Sequence, residues 1–481
     1  MQRVKFAAVV LGFLGVTFLV PVGTSGAAPP VAPAPPSPQA APTSPLPVTP
    51  FPLPLVENDE MLVPVAPAPH IVASWDEALA ALRSRSTDLR IALDEIERSD
   101  AQWRQALALS LPTLTGSGNL TWNVVRNNLC SQGICGEVPN AVTYGATIAL
   151  TQPAFAPRAW HAARTANLAV GVAALSAEDQ KRVLTIALAN AVVSVVTAER
   201  ISEINRVGLR AALDRLTLAR RRVALGAGNA LDTVRADQDV SVARSAVVTG
   251  DESLRQARET LGLALGSADP WGVPPDINLN GVEASARATC ASAATLEERA
   301  DIAAARGTTE IARRNVDDAR LRFSPTVDLV SNFGLIGSSG DPSATYASRL
   351  HEAWTIAGVL TVPFYDGGAR YGAVRENRVL EDEAMQRLEA ARRAASVEVT
   401  QARRAVLVAE QNRVVAERSR DLARETERLS RIAFQAGSGT SLDLIESGRR
   451  LREAEIQLAL QEFGLVRARI AALLSLSRCR W

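Results

Sequence analysis

The chain has 481 residues, 52 of them Lys or Arg and 51 Asp or Glu, for a net charge of +1. At about 150 residues per domain the length allows three domains or one extended architecture, and the near-neutral balance gives no basic field for nucleic acid. Three His (His70, His161, His351) are too scattered for a zinc or facial-triad site, and four Cys are too few for a disulfide-stapled miniprotein.

Arg3 and Lys5 precede an apolar stretch over 6–20, and Ser25-Gly26-Ala27 supplies small residues for cleavage. This is the pattern of a secretory signal peptide over 1–27, read against an uncleaved anchor helix. No Cys precedes Cys130, so the usual lipoprotein acylation site is missing. The mature chain is expected in an oxidising compartment. No later run of about 20 apolar residues is read, so no spanning helix is expected. Residues 28–70 carry fifteen of the 26 prolines and read as an extended or disordered leader.

The rest is a duplication. Ser86-Thr87-Asp88-Leu89 stands 213 residues before Arg299-Ala300-Asp301-Ile302, and Ser110-Leu111-Pro112-Thr113 stands 213 before Phe323-Ser324-Pro325-Thr326. Thr151-Gln152-Pro153 stands 210 before Thr361-Val362-Pro363. The run from Gly226 to Asp232 stands 211 before that from Gly437 to Asp443. Matches in one order at nearly one offset indicate two structural repeats, over 71–270 and 293–481, with a connector over 271–292. Each repeat runs helix, Pro, two alternating segments, Pro, then a long helical stretch broken once at Gly-x-Gly.

The helical stretches contain no Pro over 158–269 or 364–481. They are rich in Ala, Leu, Arg, Glu and Gln, all good helix formers. Leu184, Leu188, Ala191, Val195 and Ala198 step 4-3-4-3, a coiled-coil seam. Val399, Ala402, Val406 and Ala409 fit the same pattern, and Leu451, Leu458 and Leu465 fall seven apart. As one helix, residues 157–225 would reach roughly 100 Å. Two rod-like helical hairpins are predicted.

The four segments between Pro markers have a period of two. Leu114, Leu120, Trp122 and Val124 alternate with Thr115, Ser117, Asn119 and Thr121, and Tyr144, Ile148 and Leu150 with Thr143, Thr147 and Thr151. Val327, Leu329, Phe333 and Leu335 alternate with Thr326, Asp328 and Asn332, and Trp354, Ile356, Leu360 and Val362 with Thr355 and Thr361. Length, alternation and terminal aromatics fit strands of an outer-membrane barrel. A soluble sheet with one wet face shows the same alternation. Four strands cannot close a barrel, and an open edge in lipid leaves backbone groups unpaired. Closure between chains is therefore expected: eight strands from two chains or twelve from three. Cys130 and Cys135 flank a Gly in a loop between the first two strands and are read as a local disulfide in preference to a metal pair. Cys290 and Cys479, at the two ends of the second repeat, are a possible second pair.

These features resemble the TolC family of trimeric outer-membrane efflux proteins over about residues 71–481. The most specific motif is Val359-Leu360-Thr361-Val362-Pro363-Phe364-Tyr365-Asp366-Gly367-Gly368-Ala369-Arg370, similar to the family's strand, Pro, aromatic, Asp-Gly-Gly junction. Leu111-Pro112-Thr113 and Ser324-Pro325-Thr326 resemble its helix-to-strand junctions. The resemblance implies an α+β membrane protein: long coiled-coil hairpins forming a periplasmic α-barrel, plus four transmembrane strands per protomer and a 12-stranded β-barrel in the homotrimer. It implies outer-membrane lipid, a periplasmic adaptor (membrane fusion protein) and an inner-membrane pump as partners. Pro112, Pro153, Pro325, Pro363, Gly367 and Gly368 fall at the barrel–tunnel junction.

The two Gly-x-Gly turns, Gly226 with Gly228 and Gly437 with Gly439, read first as helix breaks. They are also expected to form the periplasmic tip and, by resemblance, to touch the adaptor. Asp232 and Asp443 can simply favour the start of the following helix. Asp443 and Glu446 share a helix face and fall where the family's constricting acidic pair sits, so Asp443, Glu446 and Asp232 are read as a periplasmic gate. Threefold repetition would turn the pair into acidic rings at a narrow mouth. The second turn, Gly437-Ser438-Gly439-Thr440-Ser441, lacks the Arg that locks the closed state in well-known members. No phosphate loop, nucleophile elbow or metal cluster is read, so neither catalysis nor a cofactor is assigned. The expected function is a passive exit duct for small molecules, with type I protein secretion and a non-conducting envelope tether as alternatives.

Overall fold

A computed structural model describes residues 59–122, 124, 127–131, 134–138, 142–274, 279–338, 351–479 and 481. The expected signal peptide and the leader up to residue 58 lie outside the described residues. From residue 59 the expected leader is described, mostly as irregular chain. A short 3-10 turn, Glu60–Leu62, precedes β1 (His70–Ile71).

Helices α1 (Trp75–Arg85) and α2 (Thr87–Ala108) begin at Ser74 and Ser86, whose hydroxyls accept the amides of Glu77 and Leu89. Each cap satisfies one of the orphan donors at a helix start. Strand β2 (Thr113–Trp122) follows, then a separate hairpin of β3 (Asn127–Ser131) and β4 (Ile134–Val138), and β5 (Val142–Phe155). Helix α3 (Pro157–Ala224) is 68 residues long, as Pro spacing requires, with Pro157 where its missing N–H costs nothing. Helix α4 (Ala230–Ala264) returns along it. Strand β6 (Trp271–Gly272), helix α5 (Leu279–Thr289) and strand β7 (Cys290–Ser292) occupy the connector.

The second half has the same order. Helix α6 (Ala300–Leu321) has 22 residues, as does α2, and starts 213 later. Strands β8 (Thr326–Ser338) and β9 (His351–Thr361) follow. Helix α7 (Ala369–Gln435) has 67 residues and α8 (Ser441–Ser475) has 35, the length of α4. Strand β10 (Ser477–Cys479) closes the described chain, apart from Trp481.

Strands β2, β5, β8 and β9 form one antiparallel sheet in that order. The register puts Leu114 opposite Leu150, Ile148 opposite Phe333 and Phe333 opposite Trp354, so one face is apolar right across the sheet. Thr115, Asn119, Thr147, Asn332 and Thr355 fall on the other face. The apolar face is uncovered: Leu120, Trp122, Trp354 and Leu360 are each more than 60% exposed.

Pro153 does not end its strand, as expected, but lies inside β5. Strand β2 has already stopped at Thr113, opposite Thr151, so β5 has a neighbour on one side only at Pro153, and the ladder shifts register before Phe155. An N–H-less residue is tolerated at such a place.

The seam residues Leu184, Leu188, Ala191, Val195 and Ala198 are all buried. They belong to the main core with Trp75, Leu82, Leu254, Leu261, Leu474 and Cys479, where helices of both halves meet. Each Leu there contributes about 1.5–3 kcal/mol. A second core joins Leu209, Leu213 and Leu216 of α3 to Val240 and Val247 of α4. One window of α3 reaches a mean hydropathy of 1.5, enough for a spanning helix by length and composition. Half of the window is buried, and α3 packs on α2, α4, α6 and α8.

Candidate functional site: hairpin turns, sheet–helix junction and inter-repeat clasp

The junction after β9 is a built turn. Gly367 and Gly368 have φ of +70° and +90°, open to Gly at little cost. The Asp366 carboxylate accepts the Gly368 amide at 3.2 Å, the Arg370 amide at 3.0 Å and Arg370 Nε at 2.8 Å. Arg370 also donates to the Pro363 carbonyl at 2.7 Å and stacks over Phe323, which meets Tyr371 edge-on. The Pro-x-x-Asp-Gly-Gly-x-Arg spacing is therefore a closed hydrogen-bonded loop that aims α7 away from β9. Pro112 and Pro325 lie between helix and strand at the two equivalent entries, α2 to β2 and α6 to β8. Phe364 and Tyr365 are almost fully exposed.

At the far ends of the hairpins both Gly turns have one geometry. The amides of Gly226 and Ala227 donate to the carbonyls of Val223 and Arg222, and those of Gly437 and Ser438 to Phe434 and Ala433. This pair of bonds is the Schellman closure of a helix. Gly226 and Gly437 supply its positive φ, +69° and +77°. Gly228 and Gly439 are needed for space: a Cβ on either would lie 2.9 Å from a backbone nitrogen, of Val223 or Phe434.

The expected gate acids are placed differently from one another. Asp443 is the third residue of α8 and forms a capping box with Thr440, accepting its hydroxyl at 2.6 Å. Asp232 of α4 accepts the Ser441 hydroxyl at 2.5 Å, joining the two turns. Glu446 pairs with Arg449 at 2.8 Å and Arg450 at 3.0 Å. The Arg449 guanidinium holds the Glu446 carboxyl below its ordinary value, against a smaller push from burial, and Arg450 adds to it. The expected bare acidic face is thus offset by arginines one turn on. Arg222, missed in the sequence, donates to the Phe434 carbonyl at 3.2 Å and lies over the Phe434 ring, a second tie between the hairpins.

Residues 59–72 lie on α3 and α4. Arg244 binds Asp59, and Arg206 and Arg258 donate to the carbonyls of Val63 and Ala66. Strand β1 pairs in parallel with β6, and His70 stacks on Trp271. Cys290 and Cys479 form a disulfide. Cys130 and Cys135 stand directly opposite in the β3–β4 register, the backbone pairing a local disulfide needs; their side chains lie outside the described residues.

The outer membrane efflux protein family matches residues 78–267 and 291–476. The toluene efflux pump outer membrane protein TtgC of Pseudomonas putida is 23% identical over 375 residues, 76% of this chain and 75% of that protein. The fusaric acid resistance protein FusA of Burkholderia cepacia is 27% identical over 152 residues, which span 31% of this chain and only 28% of that protein. The crystal structure of the outer membrane protein VceC of Vibrio cholerae superposes with a TM-score of 0.70 at 17% identity, covering 83% of this chain and 95% of that one. The matched family model covers both repeats, so the chain belongs to the outer membrane efflux protein family, with its sheet in the outer membrane and its helical hairpins in the periplasm.

Proposed function

We propose that this chain is the outer-membrane exit duct of a tripartite efflux system and works as a homotrimer. The observation that carries this reading is the sheet with two open edges. Among the described residues, strands β2 and β9 each have a neighbour on one side only and present apolar residues along an uncovered face. Unpaired backbone in lipid costs several kcal/mol per group, so the edges must meet other copies. Edge β9 of one copy would pair antiparallel with edge β2 of the next, and three copies give twelve strands and a lumen. On the helical side, Val408, Val415, Leu422 and Leu429 of α7 recur every seven residues and are each at least half exposed. Such a row supports packing against a neighbouring copy.

The hairpin turns at Gly226–Gly228 and Gly437–Gly439 are the adaptor-contacting tips in this reading, and the adaptor joins the duct to an inner-membrane pump. Repeated threefold, Asp443, Glu446 and Asp232 line the mouth as a mixed-charge collar rather than a bare acidic ring, because Arg449 and Arg450 accompany Glu446. Cargo moves passively. Small-molecule cargo is favoured over protein by TtgC and FusA, whose names refer to toluene and fusaric acid. The test is the native mass of the detergent-extracted protein together with its conductance in a planar bilayer. A conducting trimer is expected. A monomer would leave β2 and β9 unpaired and would overturn the duct.

A further inference from the structure

The Cys290–Cys479 disulfide spans 189 residues and encloses the second repeat. Both residues are buried, at 2% and 0% exposure. The bond lies within two three-residue strands, β7 and β10, where Cys290 stands opposite Cys479. Three residue pairs are too few to hold two strands together in water.

The clasp is seated on the first repeat. Arg478 binds Glu178 of α3 twice, at 3.0 and 2.8 Å. The Trp481 indole donates to Thr185 at 3.0 Å, and Lys181 donates to the Trp481 carbonyl at 2.6 Å. Arg299, just after the start of the second repeat, reaches the Ser475 carbonyl at 2.9 Å and Glu398 of α7 at 2.6 Å. One short segment therefore joins the beginning of the second repeat, its end, and the long helix of the first.

Burial fixes an order of events. An oxidant must reach both thiols before β10 docks, because afterwards the sulfurs are shielded. Cys479 follows α8, so the bond forms only once the whole second repeat has been exported.

We propose that oxidation of Cys290 and Cys479 is an assembly checkpoint, performed by a dithiol oxidase of the exporting compartment on the free protomer, and that only the clasped protomer trimerises. In the step, one Cys thiolate attacks the oxidase disulfide, forming a mixed disulfide and releasing one oxidase thiolate. The second Cys thiolate then attacks the mixed disulfide. The Cys290–Cys479 bond forms, and the oxidase leaves as its dithiol carrying the two electrons and two protons. The checkpoint rests on the trimer reading above.

The experiment uses the full chain, exported in cells with and without a functional dithiol oxidase. Membranes are extracted, monomer and trimer are separated by native electrophoresis, and free thiols are mass-tagged and located by peptide mapping. Trimers should carry no free thiol at residues 290 and 479. Without the oxidase the trimer yield should fall by about tenfold or more, the missing chains being monomers with both thiols free. Cys290→Ser with Cys479→Ser should behave as the reduced chain. Because that variant can fail to fold for other reasons, reduced wild-type monomer is also reoxidised with diamide, and trimer should reappear. Heat-stable trimer at normal yield with both thiols free overturns the checkpoint alone, as does reoxidised monomer that carries the 290–479 bond yet does not trimerise. An oxidised wild-type chain that is monomeric in replete cells overturns the trimer reading and the checkpoint with it.

Discussion

Asp239→Asn should loosen the helices that lead down to the tip. Asp239 of α4 is 5% exposed, and its carboxylate takes two bonds from Arg215 of α3, at 2.5 and 3.1 Å. Arg452 of α8 is also buried and crosses α3 at Gly208, where a Cβ would lie 2.6 Å from the Arg452 Cδ. Arg215 crosses α8 at Gly448 in the same way, at 2.9 Å. Asp239 thus binds the half-buried Arg215 and acts electrostatically on the buried Arg452. Burial pulls Arg452 below the ordinary arginine range; Asp239 opposes that pull and Arg215 adds to it. Asparagine keeps the shape of Asp239 and removes its charge. Removing one member of a buried pair costs about 3–5 kcal/mol, so local opening should become about 150- to 5000-fold more frequent. The assay is hydrogen exchange of the amides over 209–216, 236–243 and 449–456 in detergent-purified protein at fixed pH. Arg452→Met is the control of opposite sign: it removes the surplus cation, should leave exchange unchanged or slower, and should partly rescue Asp239→Asn. The reasoning is refuted if Asp239→Asn exchanges within about threefold of wild type, or if Arg452→Met is as damaging as Asp239→Asn.

The two glycines of each turn should respond in a fixed order. Gly437→Ala strains only a positive φ and should cost about 1–2 kcal/mol, whereas Gly439→Ala, at an ordinary φ, drives a Cβ into backbone and should cost more, read as faster proteolytic nicking of the tip. Equal rates for the two would contradict the space argument. Ala227→Arg and Ser438→Arg, exposed and outside the positive-φ positions, should weaken adaptor binding by about tenfold with the oligomer intact; unchanged binding in a pull-down with the adaptor removes the turns from that interface. The depressed Glu446 carboxyl stabilises the fold at pH above its unfolded value of about 4.3, and that stabilisation is lost as pH falls through its lower folded value. Conductance should therefore be flat from about pH 7 to about pH 5, and a step in that window abolished by Glu446→Gln would count against the arginine clamp.

Much of the architecture was legible because its signals are local. Proline spacing brackets α3 and α7, the period of two marks the four sheet strands, and the offset between halves reappears in equal helix lengths. The less legible parts depend on distant contacts. Residues 59–72 have leader composition, yet Arg206, Arg244 and Arg258 of the first hairpin hold them. Pro153 reads as a strand end because sequence does not show that β2 has already stopped beside it. Helix α5 hides among connector prolines although Leu279–Thr289 contains none. At the tip the missed signals were present. Thr440-x-x-Asp443 has capping-box spacing, and Arg449 and Arg450 follow Glu446 at three and four residues, the spacing of helical ion pairs.

The sheet order β2-β5-β8-β9 has a consequence for stoichiometry. Four alternating strands leave the two edges running in opposite directions. Adding any number of copies edge to edge continues the same antiparallel alternation, with no parallel seam for two copies, three or four. The parity of the sheet therefore does not count protomers. In the proposed ring that number would be set by the angle at which helical hairpins wedge together between copies, and substitutions along the exposed row from Val408 to Leu429 are where a change of ring size would originate.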